Sequence, residues 1–235
     1  MARPALTDVD RSQMRRRLAE AALSIYLAQG LEAVSFRALA DALGISHTLI
    51  YRYVQDKDEL FAQVRAAAVG RFEDFVRSSE RAGESRLERL RTVFDAYVEY
   101  VRRHPTEYLL IFSTEQPSPD AYPELLAARR SLFEHAVESV QACVDAGEIQ
   151  GDARRIAHAF WSGLHGLMTL HVNGQLVHGC DLDELAPALL DLLLGAITPS
   201  HGMPSTRGAP VRMRKQQRDA IKPAAKSIKK PRRSA

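Results

Sequence analysis

Hydrogen-bond donors and aromatic rings are concentrated in one short stretch, ALADALGISHTLIYRYVQDKDEL, residues 38–60. Within it, His47, Thr48, Tyr51 and Arg52 lie on one side of a short helical pattern, opposite its apolar side. Imidazole, hydroxyl and guanidinium groups on a single helix face are suited to base edges and phosphates of a nucleic acid. The stretch therefore indicates a candidate DNA-reading helix.

Two short helices joined by a tight turn are needed to present that face. Ser35 and Ser46 are typical helix N-cap residues, and Ala40 provides a small residue where two helices cross. Gly44 tolerates the positive φ that the turn requires, and Ile50 holds the second helix against the first. The spacing predicts a helix-turn-helix, although it also fits two surface helices of an ordinary bundle.

The position of Lys57 near the start of a predicted helix also supports DNA binding. Asp56 and Glu59 are spaced like a capping box and predict that a longer helix begins here. A cation in the first turn of a helix opposes the helix dipole, which makes sense where an anion such as a DNA phosphate binds beside it. We therefore expect Lys57 to contact a phosphate.

Residues 11–61 closely resemble the N-terminal domain of the tetracycline-repressor (TetR) family of transcriptional regulators. The resemblance runs, in family order, through AQGLEAVSF, RALADALGIS and LIYRYVQDKDELF. It implies an all-helical homodimer whose variable C-terminal domain binds a small molecule and thereby weakens the binding of operator DNA. We accordingly expect a DNA-binding repressor that a ligand releases.

The resemblance also implies a set of DNA-binding residues. Arg37 corresponds to a position that reads a base or a phosphate from the helix before the turn, and Lys57 to a phosphate-binding lysine. Tyr51 and Tyr53 correspond to aromatic positions that contact phosphates. Leu49 departs from the threonine often found there, and an apolar group contacts a thymine methyl or packs locally. The full predicted set is Arg37, Ser46, His47, Thr48, Leu49, Tyr51, Arg52, Tyr53 and Lys57.

The apolar spacing is helical along nearly the whole chain, with no convincing alternation of period two. We predict an all-α fold with an N-terminal arm and three-helix helix-turn-helix DNA-binding domain (1–61). A helical effector-binding and dimerisation domain (62–198) and a basic, disordered tail (199–235) follow. The last two helices are expected to run from about Ala153 to His178 and from Leu182 to Ile197.

The sequence WSGLHG, residues 161–166, resembles the W-x-x-x-H-G signature of one C-terminal subgroup of the same family. Trp161 and His165 are four residues apart and share a helix face. We predict that they line an apolar ligand cavity with other aromatic side chains, although aromatic residues at helical spacing also form ordinary cores. The predicted ligand-binding set is Phe94, Tyr97, Tyr108, Phe112, Phe133, Trp161, His165 and Met168.

Four histidines, His158, His165, His171 and His178, recur every six or seven residues. Helical metal pairs need a spacing of three or four residues and a further acidic or thiolate ligand, so we predict no metal site. An alternative is that these histidines line a dimer seam. The resemblance implies a homodimer formed through the last two helices, although their apolar residues also fit a role in the core of the monomer alone.

The sequence contains no phosphate loop, nucleophile elbow, zinc-site spacing or isolated acid and base pair. We therefore predict neither an enzymatic activity nor a cofactor. No apolar signal region follows the N-terminal charges, and no segment approaches the ~18 uncharged apolar residues that cross a membrane. With two cysteines and no motif that joins them, the sequence favours a reducing, cytoplasmic setting without a membrane partner.

Basic charge is concentrated in the tail. Residues 199–235 hold 11 basic residues and one acidic residue, which leaves 21 basic and 28 acidic residues in the rest of the chain. Such a tail either adds sequence-independent phosphate contacts or is a solvated, dispensable extension. In the first case, the alternative function is that of an architectural DNA-binding protein with little sequence preference.

Overall fold

The computed structural model describes residues 8–80, 85–112 and 121–198, and every regular element in these residues is a helix. The predicted all-α class is confirmed. The elements are α1 (Asp8–Gln29), a 3-10 helix (Leu31–Ala33), α2 (Phe36–Leu43), α3 (His47–Ile50), α4 (Lys57–Ser79), α5 (Arg86–Arg103), α6 (Pro105–Phe112), α7 (Pro123–Asp145), α8 (Ala153–Val172) and α9 (Leu182–Gly195). The predicted tail lies outside the described residues.

Local signals account for the helix-turn-helix formed by α2 and α3. The Ser35 hydroxyl accepts a hydrogen bond from the Ala38 amide at 3.1 Å and caps α2. Gly44 ends α2 in the left-handed conformation, with φ 64°, which residues with a Cβ adopt only at a penalty. α3 is a single helical turn, and the amides of Arg52 and Tyr53 donate to carbonyls within it, which extends the coiled segment beyond Ile50.

The predicted cap at Ser46 is wrong. Ser46 immediately precedes α3, but its side chain accepts no capping hydrogen bond. The amide of Leu49, which a capping hydroxyl would bind, donates instead to the backbone carbonyl of Ser46 at 2.9 Å. The exposed Ser46 hydroxyl is therefore not used to start the helix.

Helix α4 begins close to the predicted position. The Asp56 carboxylate accepts from the Glu59 amide at 2.8 Å, and the Glu59 carboxylate accepts from the Gln55 amide at 2.7 Å. This arrangement is a capping box displaced by one residue. α4 then continues for 23 residues through positions 61 and 62. A continuous helix therefore joins the two predicted domains.

Complete capping boxes start α5 and α9. Ser85 and Glu88 form the first, and Asp181 and Glu184 form the second. Pro105 begins a separate helix, α6, because the residue before a proline avoids the helical conformation. These sequence signals therefore set the starts of the helices in the C-terminal half.

The last two helices are shorter than predicted. α8 ends at Val172 instead of His178. Gly174 takes a left-handed φ of 65°, and the amide of Gln175 turns back to the carbonyl of Leu170 at 2.8 Å. This is the pattern of a glycine-terminated helix, and it stops α8 six residues before the expected end. α9 likewise stops shortly before its expected end.

The helices share a hydrophobic core that extends from the helix-turn-helix into the C-terminal half. α4 packs against α1, α5, α6 and α7, and α8 packs between α7 and α9. Among the residues that the structure describes, no helix combines the length and the apolarity needed to cross a membrane. α4 is thus in contact with both the N-terminal helices and the C-terminal bundle.

Candidate DNA interface and effector cavity

Most of the predicted DNA-binding residues have exposed side chains, as an interface requires. Leu49 is half-buried, and Tyr53 is only 5% exposed and belongs to the core. Tyr53 is therefore a packing residue, which does not favour a contact between its ring and DNA. The exposed members are Arg37, Ser46, His47, Thr48, Tyr51, Arg52 and Lys57.

Three aromatic rings form a cluster that joins α2 to α3. Tyr51 meets Phe36 edge-on, with ring centroids 5.0 Å apart, and meets His47 edge-on at 5.3 Å. Such contacts restrict the orientation of the Tyr51 ring, while 53% of the residue remains exposed. Phe36 is outside the predicted set, and its aromatic type in α2 is the only sequence signal for this role.

Lys57 is the first residue of α4, and its side chain is exposed. The Lys57 Nζ atom lies 5.6 Å from the centroid of the Phe61 ring, a distance at which the ring attracts the ammonium group. Asp58 and Glu59 occupy the same helical turn and already complement the helix dipole. The Lys57 ammonium is therefore positioned where an anion outside the protein can reach it.

Arg15 of α1 joins the helix-turn-helix to two long helices. Its Nε donates to the Tyr53 backbone carbonyl at 2.9 Å, and one Nη donates to the Glu59 carboxylate at 2.7 Å. The other Nη donates to Glu124, in the first turn of α7, at 3.2 Å. These partners lie 38 to 109 residues away in the sequence, so no local spacing signals them. Arg15 thus connects the end of the α3 segment to α4 and α7.

A cavity of about 600 Å³ lies among α4, α5, α6, α7 and α8. Its wall is mostly aromatic and branched aliphatic, as in sites for small apolar molecules. Binding of a ligand there stays a prediction. Six of the eight predicted ligand-binding residues line this cavity: Phe94, Tyr97, Phe112, Phe133, Trp161 and His165.

Tyr108 and Met168, the other two predicted ligand-binding residues, lie outside the cavity wall. Tyr108 is 1% exposed and Met168 is fully buried. The Tyr108 hydroxyl instead lies 2.7 Å from Nδ1 of His165, behind the wall. Helical spacing places both residues near the cavity, but packing between helices decides which side chains reach the empty volume. Their direct contact with a ligand is therefore not supported.

His165 is held between two aromatic rings. The Phe112 ring lies 4.8 Å from it, and the Trp161 ring stacks on it at 5.6 Å with an interplanar angle of 26°. Burial lowers the pKa of His165, so the imidazole is neutral near neutral pH. Burial also raises the pKa of Tyr108, so the hydroxyl beside His165 keeps its proton.

The other ionisable side chains of the cavity wall include Arg129, His135 and His158. Burial lowers the pKa of Arg129, and its guanidinium donates to the Ile111 carbonyl at 3.4 Å. His135 is 5% exposed, and its Nε2 lies 2.5 Å from the carboxylate of Glu80, just past the end of α4. The cavity wall is therefore joined to the C-terminal end of α4.

The four histidines of the sequence pattern have different surroundings. His158 and His165 line the cavity, whereas His171 is half-buried near the end of α8 and His178 is exposed beyond it. In the described ranges, no group of three or more His, Cys, Asp or Glu side chains could hold a metal ion. Two of the histidines thus belong to the cavity.

Two family models match the chain. Residues 18–64 match the model described as bacterial regulatory proteins, tetR family. Residues 90–193 match the model described as tetracyclin repressor-like, C-terminal domain. The first range contains the helix-turn-helix, and the second contains most of the cavity wall.

Individual proteins are also similar. The HTH-type transcriptional regulator Rv0681 of Mycobacterium tuberculosis is 29% identical over 165 residues, which cover 69% of this chain and 72% of that protein. The HTH-type transcriptional activator FasR of Mycolicibacterium smegmatis is 26% identical over 149 residues, which cover 63% and 67%. A solved structure of a protein of unknown function from Rhodococcus sp. RHA1 is 26% identical, with a TM-score of 0.67 over 79% of this chain and 96% of that one.

Proposed function

Because the chain belongs to the TetR family of DNA-binding transcriptional regulators, we propose that it is a repressor that a small-molecule effector releases from its operator. One observation carries this proposal: α7 lines the cavity and is also hydrogen-bonded through Arg15 to the end of the α3 segment. A ligand that displaces α7 therefore acts on the elements that read DNA.

On the DNA side, α3 enters the major groove of the operator. Thr48 and Arg52 are exposed and suited to base edges, because a hydroxyl and a guanidinium bind the acceptors that guanine and adenine present there. Ser46, Tyr51 and Lys57 are suited to phosphates, which fix the position of the protein on the duplex. This division predicts that Arg52 affects sequence preference and Lys57 mainly affects affinity.

The remaining residues of the interface act at its edges. Arg37 of α2 is exposed and reaches a base or a phosphate beside α3. His47 both packs on Tyr51 and stays exposed, so it orients the tyrosine as well as contacting DNA. Leu49 is half-buried and offers only apolar contact, which favours a thymine methyl at its position in the operator.

The working form is a homodimer built through α8 and α9. Leu170 of α8 is 46% exposed and Leu192 of α9 is 74% exposed, and large exposed apolar side chains are typical of an interface. Ser162 and Gly166 are also exposed on α8 and allow a second helix to approach closely. A two-fold dimer presents two α3 segments to successive major grooves, about 34–36 Å apart, so the operator is expected to be pseudo-palindromic.

The response to the effector follows from two connections between α7, which lines the cavity, and α4. His135 contacts Glu80 at one end of α4, and Glu124 reaches Glu59 through Arg15 at the other. A ligand that moves α7 disturbs both connections at once. Linkage then requires that operator DNA weaken effector binding by the same factor by which the effector weakens operator binding.

Specific DNA binding is tested by fluorescence-anisotropy titration of the full-length protein. Duplexes that tile the DNA upstream of its own gene are compared with shuffled duplexes at near-physiological salt. We expect the protein to bind one of these duplexes at least about 10³-fold more tightly than the shuffled duplex of the same composition. Equal binding of every duplex would contradict the proposal, and loss of that binding in a variant ending at Thr198 would assign it to the basic tail.

The effector role of the cavity is tested by filling it. Ala136 lines the cavity, and Ala136→Phe places a ring in the empty volume. We expect the variant to keep its operator affinity and to lose release by any compound that releases the wild type. Retained release would place the effector elsewhere.

Transcription from the identified operator, with and without the protein, then separates repression from the activation that the name of FasR indicates for that relative.

A further inference from the structure

The cavity wall has an unusual balance of charge. Arg129 contributes a guanidinium to the wall, whereas no carboxylate lies in the wall formed by the described residues. A cation in this cavity would lose water, and no carboxylate of the described wall would pair with it. We therefore expect the described wall to disfavour positively charged molecules.

His165 supplies a hydrogen-bond donor inside this apolar wall. The Tyr108 hydroxyl lies 2.7 Å from His165 Nδ1 and 3.4 Å from the His165 carbonyl oxygen, and we assign its proton to Nδ1, the nearer acceptor. A neutral imidazole that accepts at Nδ1 carries its own proton at Nε2. Within the described residues Nε2 has no hydrogen-bond partner of its own, and His165 lines the cavity. The Nε2–H group is thus available to an occupant.

The position of that donor is fixed by its neighbours. Phe112 and Trp161 pack on the His165 ring, and Tyr108 anchors its far side. A donor held in place loses little entropy when it binds an acceptor, and the adjacent rings offer flat apolar surface to the rest of the same molecule. Acceptor recognition and ring stacking therefore occur side by side.

We propose that the cavity selects apolar, ring-containing molecules that carry an acceptor oxygen and no positive charge, with that oxygen bound to the Nε2–H of His165. The acceptor is a carbonyl or a carboxylate, which present the same oxygen geometry to a single donor. This inference rests on the proposed role of the cavity as the effector site and specifies the chemistry of the effector.

Three probes of nearly the same shape test the proposal on the full-length wild type without DNA. Benzophenone has two rings and a carbonyl, diphenylmethane lacks the oxygen, and diphenylmethylamine carries a positive charge near neutral pH. Trp161 is the only tryptophan in the chain and lines the cavity, so its fluorescence reports occupancy. We expect benzophenone to bind roughly three- to tenfold more tightly than diphenylmethane, and the amine to bind more weakly than both.

Two variants test whether His165 causes the preference for benzophenone over diphenylmethane. His165→Phe keeps a ring between Phe112 and Trp161 but removes the donor, and it should make the affinities for benzophenone and diphenylmethane equal. His171→Phe is the matched control, because it makes the same change at a histidine of α8 that lies outside the cavity wall, and it should keep the preference. Calorimetry replaces fluorescence where a variant alters the surroundings of Trp161.

A second measurement covers the case in which His165→Phe does not fold. Nitrogen NMR of wild-type protein with isotopically labelled histidine should assign the Nε2–H tautomer to His165, and benzophenone should shift the Nε2 signal more than diphenylmethane does. Equal affinity for the ketone and the hydrocarbon, tighter binding of the amine, or an Nδ1–H tautomer would each overturn the proposal. None of these results depends on operator binding, so failure of this inference is distinguishable from failure of the repressor function.

Discussion

The candidate DNA-reading region, residues 37–57, and the candidate effector cavity place their residues in opposite surroundings. Between Arg37 and Lys57, seven of the predicted residues are exposed and lie in one short stretch of the chain. The cavity wall is drawn from five helices between Val69 and His165, and most of its side chains are buried. In the first region most of the predicted side chains are exposed to solvent, whereas in the second each change alters the packing of several helices. Sequence preference and effector preference are therefore expected to vary independently.

The largest expected effects come from truncating one buried isoleucine in each region. Ile50 is fully buried beneath α3, and Ile111 is 1% exposed in the cavity wall. Ile50→Ala and Ile111→Ala should each lower the free energy of unfolding by about 2–5 kcal/mol, measured by denaturant titration. Only Ile50→Ala should weaken operator binding, and only Ile111→Ala should change benzophenone binding. Equal loss of operator affinity in both variants would show that the regions are not independent.

Removal of the Lys57 ammonium should affect DNA binding and nothing in the cavity. Lys57→Met is expected to weaken operator binding about tenfold and to reduce the slope of log affinity against log salt by about one, because one phosphate contact is lost. Arg91→Met is the control, since Arg91 is an exposed cation paired with Asp191 away from the interface. A similar change of slope in the control would assign the effect to net charge.

Glu124→Gln should weaken the coupling between the two regions with little change in folding stability or operator affinity. The Arg15–Glu124 pair is largely exposed, so its loss should alter the free energy of unfolding by less than about 1 kcal/mol. Operator affinity should stay within about twofold, but the effector should release the operator less strongly. Glu134 lies on α7, like Glu124, and is paired with Arg154 of α8; Glu134→Gln removes this exposed pair and should leave release unchanged. Undiminished release in Glu124→Gln would exclude this route.

The smallest effect concerns the pH dependence of stability in the cavity region. Because burial lowers the pKa of His165, the unfolded chain binds more protons than the folded one as the pH falls through the ordinary histidine range, about 6.5. The contribution of neutral His165 to the free energy of unfolding is therefore fully present above that range and is lost as the pH falls. His165→Phe should show a shallower loss of thermal stability between about pH 7.5 and about pH 5.5. An identical slope in the two proteins would contradict this assignment.

The DNA-reading region was largely predictable because its structure depends on local signals. Ser35, Gly44 and Asp56 act within four residues of their partners, and each has the predicted role. Ser46 is the exception, since a one-turn helix satisfies the Leu49 amide with a backbone carbonyl. Residue type and spacing are therefore sufficient to predict a helix cap wherever no backbone carbonyl competes with the capping side chain for the same amide.

The cavity was predictable only in part because it depends on contacts between distant helices. Periodicity identified the aromatic residues of α5 and α8, but it could not tell that Tyr108 supports His165 from behind. Arg15 is a stronger case, because its partners Tyr53, Glu59 and Glu124 are far away in the sequence. Such contacts become visible only once the helices are packed together.

In the proposed mechanism, the length of α4 converts a small tilt near the cavity into a larger displacement at the candidate DNA interface. A helix of 23 residues is about 34 Å long, with Lys57 at one end and the Glu80–His135 contact just past the other. A tilt of about 5° about the cavity end sweeps the Lys57 end through about 3 Å, more than a hydrogen bond to a phosphate tolerates. In this mechanism, the direction in which an occupant displaces α4, rather than the volume it fills, decides whether it is an inducer or an inert competitor.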